Sequence, residues 1–409
     1  MARKVLKLGW EFPPNNWGGL GVACYGLVKG LLNSGATVKL VLPNKQKSYL
    51  KNCELLHART NYSNSFKTQQ SVYQNLYTNL FRRIYCYARS CEQVACKNDF
   101  DVIHAHDWMT FKAAIKVKQI SKKPLVVHVH STEVDRQGRE NIKQRIYDIE
   151  RNGMMEADKV IAVSNFEKQR IIKYYDIAPE KISVVHNALS NAKRDFNGGP
   201  QTKDSTIDFS SFKNKNFKVL FLGRLTGQKG PEYFIQAAKK ILRKLSNVEF
   251  IVAGDGDMKD KLIHMTEKLK INKKVTFTGF LRGKQIDDIY KLAHVYVMPS
   301  VCEPFGLAPL ESMINGTPVV VSKDAGVCEI IYNCIKVDFS NVDQISEEVI
   351  ELLQSPEKHK KLVVEGKKEV AKLSWDDAAQ KCLKIYDQVC SEGFECLNLN
   401  KKFLNQKFH

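Results

Sequence analysis

The feature that most constrains this chain is an alternation, met twice, between short β-branched runs and stretches of helical periodicity. In the first half VLKLGW leads into the helical pattern GVACYGLVKGLLNSG and then ATVKLVLP. DVIHAH, PLVVHVH, DKVIAVS and KISVVHN follow, with FKAAIKVKQI and NFEKQRIIKYY among them. The pattern breaks at SNAKRDFNGGPQTKDSTIDFSSFKNKN and restarts with KVLFLGR, VEFIVAGDG, KVTFTGF, VYVMPS and TPVVVS, again with helices between. Strands separated by helices pair in parallel, with both sheet faces covered. The expectation is therefore an α/β chain of two Rossmann-like domains facing across a cleft: residues 1–190, a linker at 191–216, and residues 217–373. Ser374 followed by Asp377 predicts a capped C-terminal helix over 374–390, with a basic tail at 391–409. Ligands of such sheets bind beyond the carboxyl ends of the strands, so the loops there are the place to look for chemistry.

Bulk properties narrow the class. With 43% apolar and 26% charged residues the chain reads as globular, and no apolar run is long enough to span a membrane. Lys7 and Glu11 interrupt the N-terminal apolar run too early for a secretory leader. The eleven cysteines show no CxxC pairing, so reduced thiols and a cytoplasmic setting are expected. A net charge of +19 favours an anionic partner, although much of it falls on amphipathic helical stretches and on the tail. The segment Tyr62 to Lys97, rich in aromatics and arginine, reads as a helical insertion packing on something unseen. Peripheral membrane contact through it or through the tail stays open, and oligomeric state is not legible.

Two loops carry chemistry. In KVLFLGRLTGQKGPEYF, Arg224 and Lys229 sit on a glycine-containing strand-to-helix loop, which supplies fixed cations and a helix N-terminus for phosphate. In VYVMPSVCEPFGLAPLESMINGTPVVVS, Glu303 falls on the loop, Pro309 in the first helical turn and Glu311 within the helix. The amides of Phe305, Gly306 and Leu307 then face the positive end of that helix, ready for a diphosphate. Two carboxylates beside a phosphate site repel it unless they accept from hydroxyls, and a nucleotide sugar offers sugar and ribose hydroxyls on either side of its diphosphate.

EPFGLAPLE, preceded by GRLTGQKG and followed by GTPVVVS, resembles the E-x7-E region of glycosyltransferase family 4. WEFPPNNWGGLG, HAHDW, VVHVHSTE, ADKVIAVSNF, VVHNAL and WDDAAQKC extend the resemblance over most of residues 4–388, nearest to the glycogen/starch synthase-like members. The resemblance implies a GT-B fold and retaining transfer of a hexose, glucose above all, from a nucleoside diphosphate sugar (UDP- or ADP-glucose) to a carbohydrate acceptor. The second domain would hold the donor and the first the acceptor. It implies that Glu303 touches the transferred sugar, Glu311 the ribose, and Arg224 with Lys229 the diphosphate. His130 would lie near the reacting sugar, and Gly18 and Gly19 would close over the phosphates. No metal or other cofactor is implied. The chain departs from the pattern at Asn16 and Trp17, where synthases often carry a lysine, at Ser190 in place of an aspartate, and at Ala325–Gly326 in place of a double glycine. Glu329 resembles a family position to which no role is assigned.

Other readings compete. HAHDW and HVHSTE each present an H-x-H pair, and alternate strand residues share a face, as in metal-dependent hydrolases. The second half adds no matching ligands, since His264 falls on a helix and His294 before a strand, so His104 and His106 read as structural or acceptor-lining residues. Asp255 to Asp257 resembles a metal-binding D-x-D, but its place at a helix start favours Asp257 as an N-cap. A polyanion- or membrane-surface-binding protein would account for the charge, yet no nucleic-acid motif is present and no nucleic-acid partner is expected.

Overall fold

The computed structural model describes residues 2–14, 18–46, 50–58, 76–189 and 214–406; for 76–78 and 393–406 only the backbone is described. Asn16, Trp17, Ser190, the linker up to residue 213 with Gly198 and Gly199, and residues 62–75 of the insertion lie outside the described residues.

The first sheet contains β1 (Lys4–Leu8), β2 (Thr37–Leu42), β3 (Cys53–His57), β4 (Val102–His106), β5 (Leu125–Val129), β6 (Lys159–Ala162) and β7 (Ile182–Val184), in the order β3-β2-β1-β4-β5-β6-β7. The second contains β8 (Phe217–Leu222), β9 (Val248–Ala253), β10 (Val275–Gly279), β11 (Val295–Met298), β12 (Val319–Ser322) and β13 (Ile335–Val337), in the order β10-β9-β8-β11-β12-β13. Every pairing is parallel. The strand order reverses between β1 and β4 and again between β8 and β11, and each reversal opens a crevice at the carboxyl ends of the strands. These are the two doubly wound units expected from the alternation.

Sheet faces follow the two-residue period. On β4 and β5, Ile103, Ala105, Val127 and Val129 enter one core, together with the helices Leu76–Cys96, Trp108–Ser121 and Gln144–Glu156. Val102 and Val126 face the other core, with the helix Gly19–Asn33. The Leu76–Cys96 helix corrects the reading of an insertion packed on something unseen. Its apolar residues Phe81, Ile84, Tyr87, Ala88, Cys91 and Ala95 are buried in the core of the first domain.

A second correction concerns the C-terminus. The helix runs Trp375–Gln406, past the expected end at Cys390, and it packs on the first domain, a placement the sequence left open. Ser374 caps it by accepting the Asp376 N–H at 3.0 Å. Trp375, Ala379, Cys382 and Tyr386 join the core of the first domain beside Leu27 and Leu31. Gly26 makes the close approach feasible, since a Cβ there would stand 2.3 Å from the Trp375 indole. The two domains thus share a chain crossover as well as a cleft. Among the described residues no helix is long and apolar enough to cross a membrane.

Candidate active site

The second domain builds its half of the cleft from loops after β8 and β11. After β8 the chain makes a short turn, Gly227–Lys229, before the helix Pro231–Lys244. Gln228 O accepts the Val301 N–H at 2.9 Å, which ties this turn to the loop after β11. That loop carries Glu303, whose backbone carbonyl accepts from Gly326 at 2.9 Å, while Phe305 O accepts from Val327 at 2.7 Å. A carboxylate is thereby fixed on a loop braced from both sides.

Lys229 and Glu303 meet directly: Nζ donates to Oε2 at 2.5 Å, and Ser300 Oγ donates to the same oxygen at 3.3 Å. The side chains are 21% and 7% exposed, so the pair is largely desolvated. The sequence assigned these residues to different parts of a donor, and the structure places them in one contact. Arg224 is exposed and makes no side-chain hydrogen bond or ion pair among the described residues, so its guanidinium faces solvent on the same loop.

The helix Leu307–Asn315 begins beside this pair. Gly306, at φ 101°, turns the chain into it; a Cβ there would lie 3.2 Å from Glu303 Cγ and 3.3 Å from Met298 Cε in a backbone conformation that other residues rarely adopt. The amides of Gly306, Leu307 and Ala308 donate to no backbone carbonyl among the described residues, so they form a small anion-seeking nest at the positive helix end. Phe305 contributes its amide only, because its ring is buried in the core. Glu311 lies on the following turn, half-buried. Across the cleft, Gly18 and Gly19 open the helix Gly19–Asn33, and a Cβ on Gly19 would stand 3.6 Å from Leu307 Cδ1. Two helix N-termini, one from each domain, therefore converge on one place.

His130 directly follows β5, at the carboxyl end of the first sheet. Its Nε2 is 2.8 Å from His106 Nδ1, and its backbone N–H donates to Asp107 Oδ1 at 2.7 Å. Desolvation, with the charge of Lys7 adding to it, pushes the His130 imidazole down to about 3. It is a neutral ring at neutral pH. Asp107, with φ 56°, is buried, and burial pushes its carboxyl up to about 7 against the stabilising His130 amide. Sequence reasoning left His106 as a structural or acceptor-lining residue and passed over Asp107; the only signal was their place at the carboxyl end of β4 in HAHDW.

Below His130 the two H-x-H pairs form a stack, as their strand spacing requires. His104, His106, His128 and His130 lie on one sheet face with ring centroids 4.5–5.4 Å apart. His104 Nδ1 is 2.5 Å from Tyr386 Oη and 3.5 Å from Lys7 Nζ, which makes it a buried residue of the packing against the C-terminal helix. Candidate ligand atoms of His104, His106 and His128 come within 4.8 Å of one another. The ring planes of these three lie 6–32° apart. Buried Lys7 adds a basic group where an ion would need an anion. At the D-x-D segment the expected cap is not found. Asp257 is exposed and is not the N-cap that the sequence suggested: Met258 takes that position, and Asp255 instead accepts from the Gly256 amide at 2.9 Å.

The chain is similar to known proteins over most of its length. The family model "Glycosyltransferase Family 4" matches residues 17–192, and "Glycosyl transferases group 1" matches residues 203–369. An uncharacterized glycosyltransferase of Methanocaldococcus jannaschii is 33% identical over 393 residues, covering 94% of this chain and 97% of that one. A glycogen synthase of Mycobacterium tuberculosis is 28% identical over 237 residues, covering 57% of this chain and 54% of its own length. Among solved structures, Anabaena HepE in complex with UDP and glucose aligns with a TM-score of 0.71 at 18% identity, over 94% of this chain and 100% of that one.

Proposed function

The chain belongs to glycosyltransferase family 4, and from that membership we propose that it transfers a hexose, glucose above all, from a nucleoside diphosphate sugar to a carbohydrate hydroxyl with retention of anomeric configuration. The observation that carries the reading is the convergence of two helix N-termini, at Gly19 and at Leu307, beside the Lys229–Glu303 pair. Uncommitted amides, a lysine and the exposed Arg224 suit a diphosphate, and they supply its counter-charge without a metal. UDP or ADP is the expected nucleotide, in keeping with the UDP and glucose named for HepE and with the similarity to glycogen synthase.

In this reading the donor diphosphate displaces Lys229 from Glu303. The lysine moves to the phosphate, and Glu303 is freed to accept from the sugar hydroxyls. Glu311 receives the ribose. The bond between the anomeric carbon and the β-phosphate oxygen breaks, with its electron pair going to that oxygen, while Lys229, Arg224 and the Gly306 to Ala308 amides stabilise the growing charge. The acceptor hydroxyl attacks the anomeric carbon from the face the phosphate leaves, and its proton passes to the departing phosphate oxygen. Neutral His130, steadied by His106 and Asp107, holds the sugar. Domain closure excludes water that would otherwise hydrolyse the donor.

Incubation with UDP-, ADP- and GDP-glucose and an α-glucan acceptor, followed by proton NMR of the product, tests the proposal. An α-linked product from one of these donors is expected. A β-linked product, or no nucleoside diphosphate released from any donor, would overturn it.

A further inference from the structure

Glu329 stands outside the donor site, on the Gly326–Glu329 turn of the second domain, yet its carboxylate reaches the first domain. Oε1 accepts the Phe166 N–H at 2.8 Å. Oε2 accepts the Asn165 N–H at 2.9 Å and Asn165 Nδ2 at 3.0 Å, and it lies 2.7 Å from His186 Nε2. Both oxygens are thus spent on the N-terminus of the helix Asn165–Tyr175 and on the loop after β7. A helix start leaves its first amides without intrahelical partners, and a local side chain or water ordinarily satisfies them. Here the local cap, Ser164, accepts only from Glu167 at 3.0 Å, and its own hydroxyl donates across the domain boundary to Pro304 O at 2.5 Å. The helix is therefore capped jointly by its own domain and by the opposite one. Burial opposes the Glu329 charge, but His186 and the two amides outweigh it and hold the carboxyl below its ordinary range.

Both ends of this contact run into the proposed chemistry. On the second domain, the turn that carries Glu329 is bonded to the sugar-facing loop through Gly326 N to Glu303 O and Val327 N to Phe305 O, and Ala325 bridges Glu303. On the first domain, the clasped helix follows β6, which pairs along its length with β5, the strand that His130 directly follows. Rigid elements connect His130 to Glu303 by way of Glu329.

We infer that Glu329 is a positioning residue: it clasps the two domains so that Glu303 and His130 address the same sugar. The inference rests on the transferase reading above. Neither Lys229 nor the Gly306 to Ala308 amides touch Glu329, so the second domain's share of nucleotide binding stays intact without the clasp, and only the share of the Gly19 helix start depends on it.

Glu329→Ala removes both acceptors, whereas Glu329→Gln keeps one. Three readouts on the full chain decide the matter: kcat and KM for the donor, the dissociation constant for UDP or ADP, and the radius of gyration by small-angle scattering with that nucleotide bound. The expected result is a kcat lower by about tenfold or more in Glu329→Ala, as for a misaligned reacting pair. Nucleotide should still bind, through Lys229 and the Leu307 helix start, with a loss of affinity smaller than the loss in kcat; the scattering radius should grow, and Glu329→Gln should fall between. Wild-type kcat and radius in Glu329→Ala would overturn the inference, as would a lower kcat at an unchanged radius. If the wild type transfers nothing from any donor, the transferase reading fails, while the radius still decides whether Glu329 clasps the domains. Should Glu329→Ala not fold, the same readouts on Glu329→Gln decide.

Discussion

Replacing Lys229 by alanine separates what that residue does for the fold from what it does for the donor. In the wild type its Nζ lies 2.5 Å from Glu303 Oε2 with the carboxylate side chain only 7% exposed, so alanine leaves a buried charge with the Ser300 hydroxyl at 3.3 Å as its remaining donor. Breaking one side of a buried pair costs about 3–5 kcal/mol as a rule, and the 21% exposure of Lys229 argues for the lower end, about 3 kcal/mol. For a unit of this size that is a fall of about 6 to 12 °C in Tm. Removing both charges, in Lys229→Ala with Glu303→Gln, should recover stability to within about 1 kcal/mol of wild type, since the uncompensated charge is gone. Activity should not recover: both proteins should turn over donor at least about a hundredfold more slowly. Urea unfolding and a nucleotide-release assay on wild type, the two single variants and the double variant give the complete cycle. Wild-type stability in Lys229→Ala, or turnover within a few-fold of wild type in either protein, would refute the reasoning.

The histidine stack predicts a pH effect of definite sign. Burial holds the His104, His106 and His128 imidazoles well below their ordinary range and His130 at about 3, so between about pH 6.5 and these values the unfolded chain binds more protons; the stability they contribute is present above about 6.5 and lost on acidification. Asp107 and Glu150, raised to about 7 by burial, act in the opposite sense and stay in place. Neither ring nitrogen of His128 has a hydrogen-bond partner among the described residues, so His128→Leu should flatten the loss of stability as the pH falls below about 6.5, read from urea unfolding; an unchanged slope would contradict this. Trp375→Ala, which empties the notch at Gly26, should cost about 3–5 kcal/mol by thermal unfolding, and a loss below about 1 kcal/mol would mean that the returning helix is not a structural part of the first domain.

What the sequence disclosed depended on range. β4 and β5, fully buried β-branched runs, were legible because a central parallel strand has no solvent face to obscure its pattern. β3 was not, because CELLH is a short edge strand with only its first residue buried, and the helix Gln144–Glu156 was passed over. The loop after β11 was legible because Glu303, Gly306 and Leu307 lie within a few residues of one another, and φ 101° at Gly306 accounts for that glycine. Longer contacts were hidden. The amphipathic pattern after Ser374 marks a helix but does not say which sheet will cover it, and it is the notch at Gly26 that selects the first. Glu329 meets Asn165 from 164 positions away, a pairing that no local spacing encodes. The Asp257 cap failed for a local reason, since the helix begins later and Met258 occupies the capping position.

On the reading proposed above, the cleft between the two sheets holds a nucleoside diphosphate on the Leu307 helix start and Lys229. Calorimetric titration of UDP and ADP into wild type and Lys229→Ala tests it most directly. Saturable one-to-one binding of one of them is expected, weakened at least about tenfold by the substitution. Binding of neither nucleotide, or equal affinity in both proteins, would contradict it.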